Sequence, residues 1–290
     1  MHPTFRFAPS PNGRLHLGHA YSALCNERAA RAVGGALLLR IEDTDPTRSK
    51  REFEEAICAD LHWLGIAFDD PIRRQSDHPD DYAAIFERLR AQGLVYPCFC
   101  TRGRILEASG GARDPDGGPL HAGPCGDPDT EERLARGESA GWRLDLQRAM
   151  ALIPDPLGWD EFGEGTKARQ IVATPLAWGD VLLRGKERAA TYHLAVVVDD
   201  TIQTVTDVVR GRDLLAATSI HVLLQALVGS STPRYRHHRL ALDQTHAKMS
   251  KSAASKPLSA LRDEGYSAAD IRAALGFGGV AEKPLAVVLS

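Results

Sequence analysis

The fold of the chain is decided by residues 4–41, "TFRFAPSPNGRLHLGHAYSALCNERAARAVGGALLLRI". The run "TFRFA" (4–8) predicts a short strand. Apolar residues at helical spacing predict a helix over 17–33, which Gly34-Gly35 would end. The run "ALLLRI" (36–41) predicts a second, buried strand. A strand, a helix and a strand in this order are typical of the start of a parallel α/β sheet.

The remaining sequence alternates between helical and strand patterns around a loop-rich middle. The run "YHLAVVVDD" (192–200) is apolar throughout, so periodicity fits a strand or a helix equally well. Glycine, proline and aspartate make 110–129 a loop or a flexible insert. The other predicted elements are a helix from Ser49 with Glu52 in a capping box, a helix over about 79–92, a strand "WRLDL" (142–146), a helix over 213–228 capped by Asp213, a strand-like stretch at 237–242 and at most two short helices within 259–279 packed back on the core.

The composition is that of an ordinary globular protein. The chain has 290 residues, 43% hydrophobic and 25% charged, with a formal net charge of −3. No stretch is long and apolar enough to span a membrane, and the start "MHPTFRF" lacks the pattern of a secretion signal, so we expect a cytoplasmic protein. Arginine-rich runs at 47–51 and 234–239 are typical of solvated faces as much as of contact surfaces. Five cysteines, an odd number, do not indicate a disulfide framework.

Two histidines, His16 and His19, stand on the first turn of the predicted helix. A helix that opens directly after a strand presents N–H groups and the positive end of its dipole, which is a site for phosphate. Imidazoles three residues apart share one face and could donate to a phosphate on which charge develops. Gly18 would let a flat ring or a sugar approach the backbone. The alternative is two surface histidines, since H-x-G-H alone is a weak pattern.

A second pattern, "AKMSKS" (247–252), follows near the end of the chain. Lys248 and Lys251 flank a small serine-containing turn, which suits a mobile loop that closes over a triphosphate. An exposed charged loop is the alternative. Both patterns in one chain and in this order are a specific combination.

The two patterns resemble the signatures of class I aminoacyl-tRNA synthetases, and "RFAPSPNGRLHLGHA" with "LLLRIEDTDPTRS" is similar to the glutamyl-tRNA synthetase branch. The resemblance covers about residues 5 to 255. It implies a Rossmann-type doubly wound parallel sheet with an inserted, zinc-binding, acceptor-type subdomain. The implied boundaries are 1–95 and 191–245 for the two halves of the core, 96–190 for the insert, and 246–290 for the "KMSKS" loop with a short helical segment.

The resemblance also implies the roles of the phosphate-binding residues. His16, His19, Lys248 and Lys251 would stabilise the phosphates of ATP, accompanied by Mg²⁺, while glutamyl-adenylate forms. This agrees with the chemistry, because a carboxylate that attacks the α-phosphate needs charge neutralisation and positioning rather than a general base.

A glutamate pocket is implied in the same way, lined by Arg6, Phe7, Ala8, Pro9, Ser10, Glu42, Tyr192 and Arg210. On physical grounds, Glu42 ends a buried strand at its carboxyl edge, where such sheets bind ligands, and an acid there needs a cation such as a substrate ammonium. Arginine is suited to the side-chain carboxylate. The alternative is a structural pair between Glu42 and an arginine that ties strands together. The chain departs from the branch at Val196, where asparagine is common.

A cysteine cluster lies around the loop-rich segment. Cys98, Cys100 and Cys125 could supply three thiolates and His121 a nitrogen to a tetrahedral zinc, one structural ion per chain. Relatives often have tyrosine at the position of His121, and histidine is the better zinc ligand. Three reduced cysteines in and beside a loop are the alternative.

Residues 253–290 are all that follows "KMSKS", so we expect no anticodon-binding domain. Truncated members of the branch, the glutamyl-queuosine tRNA(Asp) synthetases, activate L-glutamate with ATP and transfer it to queuosine in the anticodon stem-loop of tRNA(Asp). The chain resembles them. We therefore expect that it has this activity, that it is a monomer and that it does not contact a membrane. Three alternatives stay open: a compact glutamyl-tRNA synthetase charging the 3′ end of tRNA(Glu), a small-molecule nucleotidyl- or adenylyltransferase, and a non-catalytic RNA- or partner-binding paralogue.

Overall fold

A computed structural model of the protein describes residues 2–124, 129–153, 156–163, 168–242, 256–278 and 281–290. The helices are α1 Leu17–Ala32, α2 Arg51–Trp63, α3 Pro79–Ala91, α4 Arg102–Ala108, α5 Thr130–Ala135, α6 Leu146–Ala151, α7 Tyr192–Ile202, α8 Thr218–Leu227, α9 Leu258–Asp263 and α10 Ala268–Ala274. The strands are β1 Thr4–Phe7, β2 Ala36–Ile41, β3 Arg73–Arg74, β4 Val95–Cys98, β5 Gly141–Leu144, β6 Gly158–Glu161, β7 Arg169–Val172, β8 Leu182–Arg184, β9 Asp207–Gly211, β10 Arg234–His238, β11 Ala241–Leu242 and β12 Val288–Leu289.

The chain divides into two compact units. The first comprises Met1–Asp77, Val205–Leu214 and Tyr235–Ser290, and the second comprises His78–Thr204 and Leu215–Arg234. Each unit is therefore built from segments that are distant in the sequence.

The first unit is built on a sheet in the order β3-β2-β1-β9-β10. Strand β1 pairs in parallel with β2 and with β9, and β2 pairs in parallel with β3. Helix α1 connects β1 to β2, and its Asn26 side chain donates to the carbonyl of Val209 on β9 at 2.9 Å. The predicted strand–helix–strand opening and the α/β class with a mostly parallel sheet are confirmed.

The two C-terminal helices, α9 and α10, pack on the first unit as predicted. Leu258 and Ile271 are fully buried. Arg272 donates to the Leu64 carbonyl at 2.9 Å and to a carboxylate oxygen of Glu27 at 2.8 Å. The segment is therefore held by both apolar burial and hydrogen bonds.

The second unit combines an antiparallel sheet, β4-β5-β8, with helices α3, α7 and α8. Strands β6 and β7 form an antiparallel pair. Its core contains Phe86, Leu194 and Leu223, and the buried Tyr82 hydroxyl donates to both carboxylate oxygens of Asp199 at 3.1 and 3.2 Å. The segment 192–200, left open by periodicity, is helical. Residues 194–200 of α7 are buried on all sides, which removes the apolar stripe that identifies an amphipathic helix.

Two predicted helix starts are wrong. Helix α2 begins at Arg51 without a side-chain cap among the described residues, because Ser49 and Lys50 turn back and donate their N–H groups to the carbonyls of Asp45 and Pro11. The helix predicted from Asp213 is split into a single 3₁₀ turn and α8. Here the Leu214 carbonyl accepts from the Arg210 guanidinium at 3.1 Å, a side-chain hydrogen bond that competes with the helical pattern.

Candidate functional site

The N-terminus of α1 is capped by the two predicted histidines. His16 is the N-cap residue, and its Nδ1 accepts from the Gly18 N–H at 3.1 Å. The Nδ1 of His19 accepts from the His16 N–H at 3.2 Å, which completes a reciprocal capping box. A ring nitrogen that accepts carries no proton, so each neutral imidazole has its proton on Nε2. The arrangement fixes one tautomer for both rings.

The two rings also contact each other, with centroids 3.8 Å apart and planes tilted by 42°. A Cβ placed on Gly18 would lie 3.0 Å from Cε1 and 3.1 Å from Nδ1 of His16. The space above Gly18, which the sequence suggested for a ligand ring, is therefore taken by the imidazole of His16. Glycine is needed here so that the capping histidine can approach the helix.

The lysines of "KMSKS", Lys248 and Lys251, lie outside the described residues. The described chain resumes at Lys256, and Pro257 forms a bridge with His16. The Leu258 N–H donates to the Leu15 carbonyl at 2.8 Å. The segment that follows the lysines is thus held beside the first turn of α1.

The predicted glutamate-pocket residues of the first unit gather at the carboxyl edge of its sheet. Arg6 and Phe7 are buried on β1, and residues 8–10 follow directly. Glu42 follows β2, and its N–H donates to the Pro9 carbonyl at 3.1 Å. The parallel pairing of β1 and β2 therefore places Glu42 next to the loop after β1.

Glu42 is paired with an arginine of its own strand. Its Oε1 lies 3.2 Å from Nη2 of Arg40, whose side chain is fully buried, while 11% of the Glu42 side chain is exposed. This is the structural pair that the sequence left open as an alternative, although it joins two residues of one strand end rather than two strands. The Glu42 carboxylate thus has a cationic partner, and part of it stays accessible at the sheet edge.

The last two predicted pocket residues, Arg210 and Tyr192, belong to different units. Arg210 is buried on β9, the neighbour of β1, where its Nε donates to Nε2 of His237 at 3.2 Å. Tyr192 belongs to the second unit, where it starts α7 and its ring lies 5.4 Å from that of His221.

The described part of the predicted metal site, Cys98, Cys100 and His121, forms a compact cluster. Their ligand atoms all lie within 4.8 Å of one another, and Cys98 and His121 are buried. The Cys98 sulfur is 3.5 Å from Nε2 of His121. Ligands at about 2.3 and 2.0 Å from a tetrahedral zinc would be about 3.5 Å apart, so the donor set and its spacing fit this ion. Cys125, the predicted fourth ligand, lies outside the described residues.

The Cys98 sulfur has two hydrogen-bond donors. Burial raises the pKa of its thiol, whereas hydrogen bonds from the Cys100 backbone and the Arg143 guanidinium lower this pKa. Because the thiolate is the form that binds metals, both donors favour the ligand form of Cys98.

Two residues that the sequence analysis missed, Tyr96 and Asp180, stand behind His121. The Tyr96 oxygen is 3.1 Å from Nδ1 of His121, and its hydroxyl donates to Asp180 Oδ2 at 2.7 Å. Alternation along β4 puts Tyr96 on the same face as Cys98, a signal that could have found it. Asp180 is far along the chain and offers no such signal.

A cavity of about 560 Å³ opens beside the cluster within the second unit. Its lining includes Cys100, His121 and Arg143 together with Tyr192 and His193. The unit thus brings Tyr192, predicted for the glutamate pocket, and the metal cluster to one opening. In the described part of the chain, every helix is too short or too polar to cross a lipid bilayer.

Comparison with known proteins identifies the family. The family described as "tRNA synthetases class I (E and Q), catalytic domain" matches residues 4–141 and 157–286. A Glutamyl-Q tRNA(Asp) synthetase of Rhodobacter capsulatus is 42% identical over 93% of this chain and 99% of its own length. A Glutamate--tRNA ligase of Coprothermobacter proteolyticus is 34% identical over 91% of this chain but 56% of its own length.

A solved structure shows the same fold. The glutamate tRNA ligase from Elizabethkingia meningosepticum, in complex with its amino acid, superposes with a TM-score of 0.75 at 24% identity, covering 95% of this chain and 60% of that one. The sequence match and the shared fold agree over nearly the whole chain. The chain therefore belongs to the class I tRNA synthetases (E and Q), in the group of the glutamyl-Q tRNA(Asp) synthetases.

Proposed function

We propose that the chain activates L-glutamate with ATP and transfers the glutamyl group to the queuosine base in the anticodon stem-loop of tRNA(Asp). The observation that carries the proposal is the high identity kept along nearly the whole length of a Glutamyl-Q tRNA(Asp) synthetase. The enzyme is a ligase that forms an aminoacyl ester.

In the first step, the glutamate α-carboxylate attacks the α-phosphate of ATP and pyrophosphate leaves. A Mg²⁺ ion that accompanies ATP would neutralise charge on the phosphates. His16 and His19 donate their Nε2–H groups to the phosphates, which is the only proton placement that their capping bonds allow. Lys248 and Lys251 add positive charge. Donors fixed before the reaction stabilise the developing charge without reorganisation.

The amino acid is recognised at the carboxyl edge of the first unit's sheet. The Glu42 carboxylate accepts hydrogen bonds from the α-ammonium group. The last residue of β1 and the three that follow surround the substrate: Phe7, Ala8, Pro9 and Ser10. Arg6 and Arg210, on adjacent strands, hold the side-chain carboxylate. The family resemblance assigns Tyr192 to glutamate binding as well. The partial exposure of the Glu42 side chain at the sheet edge supports this role.

In the second step, a hydroxyl of the queuosine cyclopentene ring attacks the carbonyl of glutamyl-adenylate, and AMP leaves. Residues 96–190 form an inserted subdomain of the acceptor-binding type, between core segments 1–95 and 191–245, with 246–290 as the closing loop and helical segment. We propose that a monomer performs the reaction in the cytoplasm, where ATP and tRNA are available.

One structural zinc per chain would be held by Cys98, Cys100, His121 and Cys125. The compact spacing of the described ligands and the two donors that favour the Cys98 thiolate support this assignment. When bound, the ion would pin the loop-rich segment and take no part in the chemistry. Elemental analysis after purification without chelator should find about one zinc per chain, and a value near zero would contradict the site.

The transfer assay uses labelled glutamate and ATP with three RNAs: tRNA(Asp) carrying queuosine, the same tRNA without queuosine, and tRNA(Glu). We expect label on the first RNA alone, and the same amount after its 3′-terminal adenosine has been removed. Label on tRNA(Glu) that depends on the 3′ adenosine would identify a compact charging enzyme instead. Absence of glutamate-dependent pyrophosphate exchange into ATP would identify a non-catalytic paralogue.

A further inference from the structure

His121 is held by a chain of hydrogen bonds that begins outside the predicted ligand set. Asp180 is 5% exposed, and its Oδ1 accepts from the Leu146 N–H at 2.9 Å. Its Oδ2 accepts from the Tyr96 hydroxyl at 2.7 Å, and the Tyr96 oxygen lies 3.1 Å from Nδ1 of His121. All four residues belong to the second unit.

The direction of these bonds is set by chemistry. A carboxylate only accepts, so the single Tyr96 proton points to Asp180. The Tyr96 oxygen then meets His121 as an acceptor, which requires the proton of the neutral ring to be on Nδ1. The other nitrogen, Nε2, keeps its lone pair, and it faces the Cys98 sulfur at 3.5 Å.

We propose that Asp180 and Tyr96 are positioning residues that hold His121 in the tautomer whose Nε2 can bind a divalent cation together with Cys98 and Cys100. The inference rests on the metal site of the proposed function and deepens it. The cation it fits is zinc, which takes thiolate and imidazole ligands in a tetrahedral arrangement.

The backbone fixes the same histidine from the other side. The Asp180 N–H donates to the His121 carbonyl at 2.7 Å, and His121 bridges Gly179 in parallel register. Gly179 has φ of +58°, and a Cβ there would lie 2.4 Å from the His121 carbonyl oxygen. The main chain and the side chains of the dipeptide Gly179-Asp180 therefore set both the position and the tautomer of His121.

We call the chain from Asp180 through Tyr96 to His121 a relay, because Asp180 sets the tautomer of His121 through it. A relay responds to mutation differently from a bond between Tyr96 and Asp180 that only stabilises the fold. In Asp180→Asn the Leu146 N–H holds the amide oxygen, so the amide NH₂ replaces Oδ2 and donates to the Tyr96 oxygen. Tyr96 must then donate its own proton to Nδ1 of His121. That moves the ring proton to Nε2 and blocks the metal ligand, although the substituted side chain has the same shape.

The experiment measures the zinc dissociation constant by chelator competition on metal-free full-length protein. Tyr96→Phe should weaken zinc binding by about 10- to 100-fold, the usual effect of losing such a partner. Asp180→Asn should weaken it further, because it imposes the wrong tautomer. The zinc affinity of the double variant should equal that of Tyr96→Phe, because without the hydroxyl the substitution at Asp180 cannot change the tautomer of His121. Tyr266→Phe, in the first unit, is the matched control and should bind like the wild type.

Circular dichroism and urea unfolding of the metal-free variants test whether each is folded before zinc is added. Equal affinity in all variants, or Asp180→Asn binding as tightly as Tyr96→Phe, overturns the relay. A wild type that binds no zinc overturns the relay and the zinc site together. Glutamate transfer to tRNA(Asp) is a separate measurement, so failure of the relay and failure of the proposed activity are distinguishable.

Discussion

Substitution of His16 separates its two tasks, capping α1 and donating to a phosphate. An asparagine amide reaches the place of the histidine Nδ1, so His16→Asn keeps an acceptor for the Gly18 N–H and removes the donor at Nε2. A glutamine amide reaches the place of Nε2, so His16→Gln keeps a donor and removes the cap. Each variant therefore keeps one of the two functions of His16 and loses the other.

The expected magnitudes differ between stability and catalysis. Losing a side-chain N-cap costs about 1 kcal/mol, whereas asparagine is among the best capping residues. The free energy of unfolding of His16→Asn should thus stay within about 0.5 kcal/mol of the wild-type value. That of His16→Gln should be about 1 kcal/mol lower than the wild-type value. Removing one preorganised donor to developing charge lowers kcat by about 100- to 1,000-fold. That loss is expected for His16→Asn, and a smaller loss, of about 10-fold, for His16→Gln.

The assays are urea unfolding and glutamate-dependent exchange of labelled pyrophosphate into ATP. His62→Asn, an exposed histidine on α2, is the control and should change neither. If His16→Asn keeps activity within threefold of the wild type, His16 is a structural cap alone. If His16→Asn loses as much stability as His16→Gln, the side-chain cap is not what holds the helix start.

Three further outcomes are expected. Glu42→Gln should abolish glutamate activation in the same exchange assay while the urea midpoint stays near that of the wild type, because the amide still accepts from Arg40. Tyr82→Phe leaves the buried Asp199 carboxylate without its hydroxyl donor and should lower the free energy of unfolding by about 2 kcal/mol in urea titration. Burial lowers the pKa of His238, so its neutral form stabilises the fold above the ordinary histidine pKa and this stability is lost as pH falls. The urea midpoint should therefore fall more between pH 7 and 5 in the wild type than in a His238→Gln variant.

The opening of the fold was predictable because its signals are local. The boundaries of β1, α1 and β2 follow from apolar spacing within residues 4–41, and parallel pairing follows from their order. The starts of α2 and α8 were predicted wrongly, since the Lys50 N–H donates to Pro11 and the Leu214 carbonyl accepts from Arg210, contacts that the cap patterns do not show. Helix α7 was ambiguous because burial on all sides leaves its sequence without a period.

The same distinction applies to the candidate site. His16, His19 and the pair Cys98 and Cys100 stand in short patterns, so the sequence could point to them. The orientation of each side chain depends on contacts from elsewhere in the fold. Asp180 reaches Tyr96 across 84 residues of sequence, a separation that no motif spans.

The question of why histidine recurs in these places has a common physical answer. In His16 and His19 one nitrogen, Nδ1, accepts a backbone N–H, and the proton is thereby placed on Nε2 as a donor. In His121 the relay through Tyr96 places the proton on Nδ1, and Nε2 becomes an acceptor for a cation. Histidine has two distinct nitrogens, and a bond to one decides the chemistry of the other. An anchored Nδ1 therefore serves opposite purposes at the two sites, and the group that anchors it, a backbone N–H or a tyrosine oxygen, determines which.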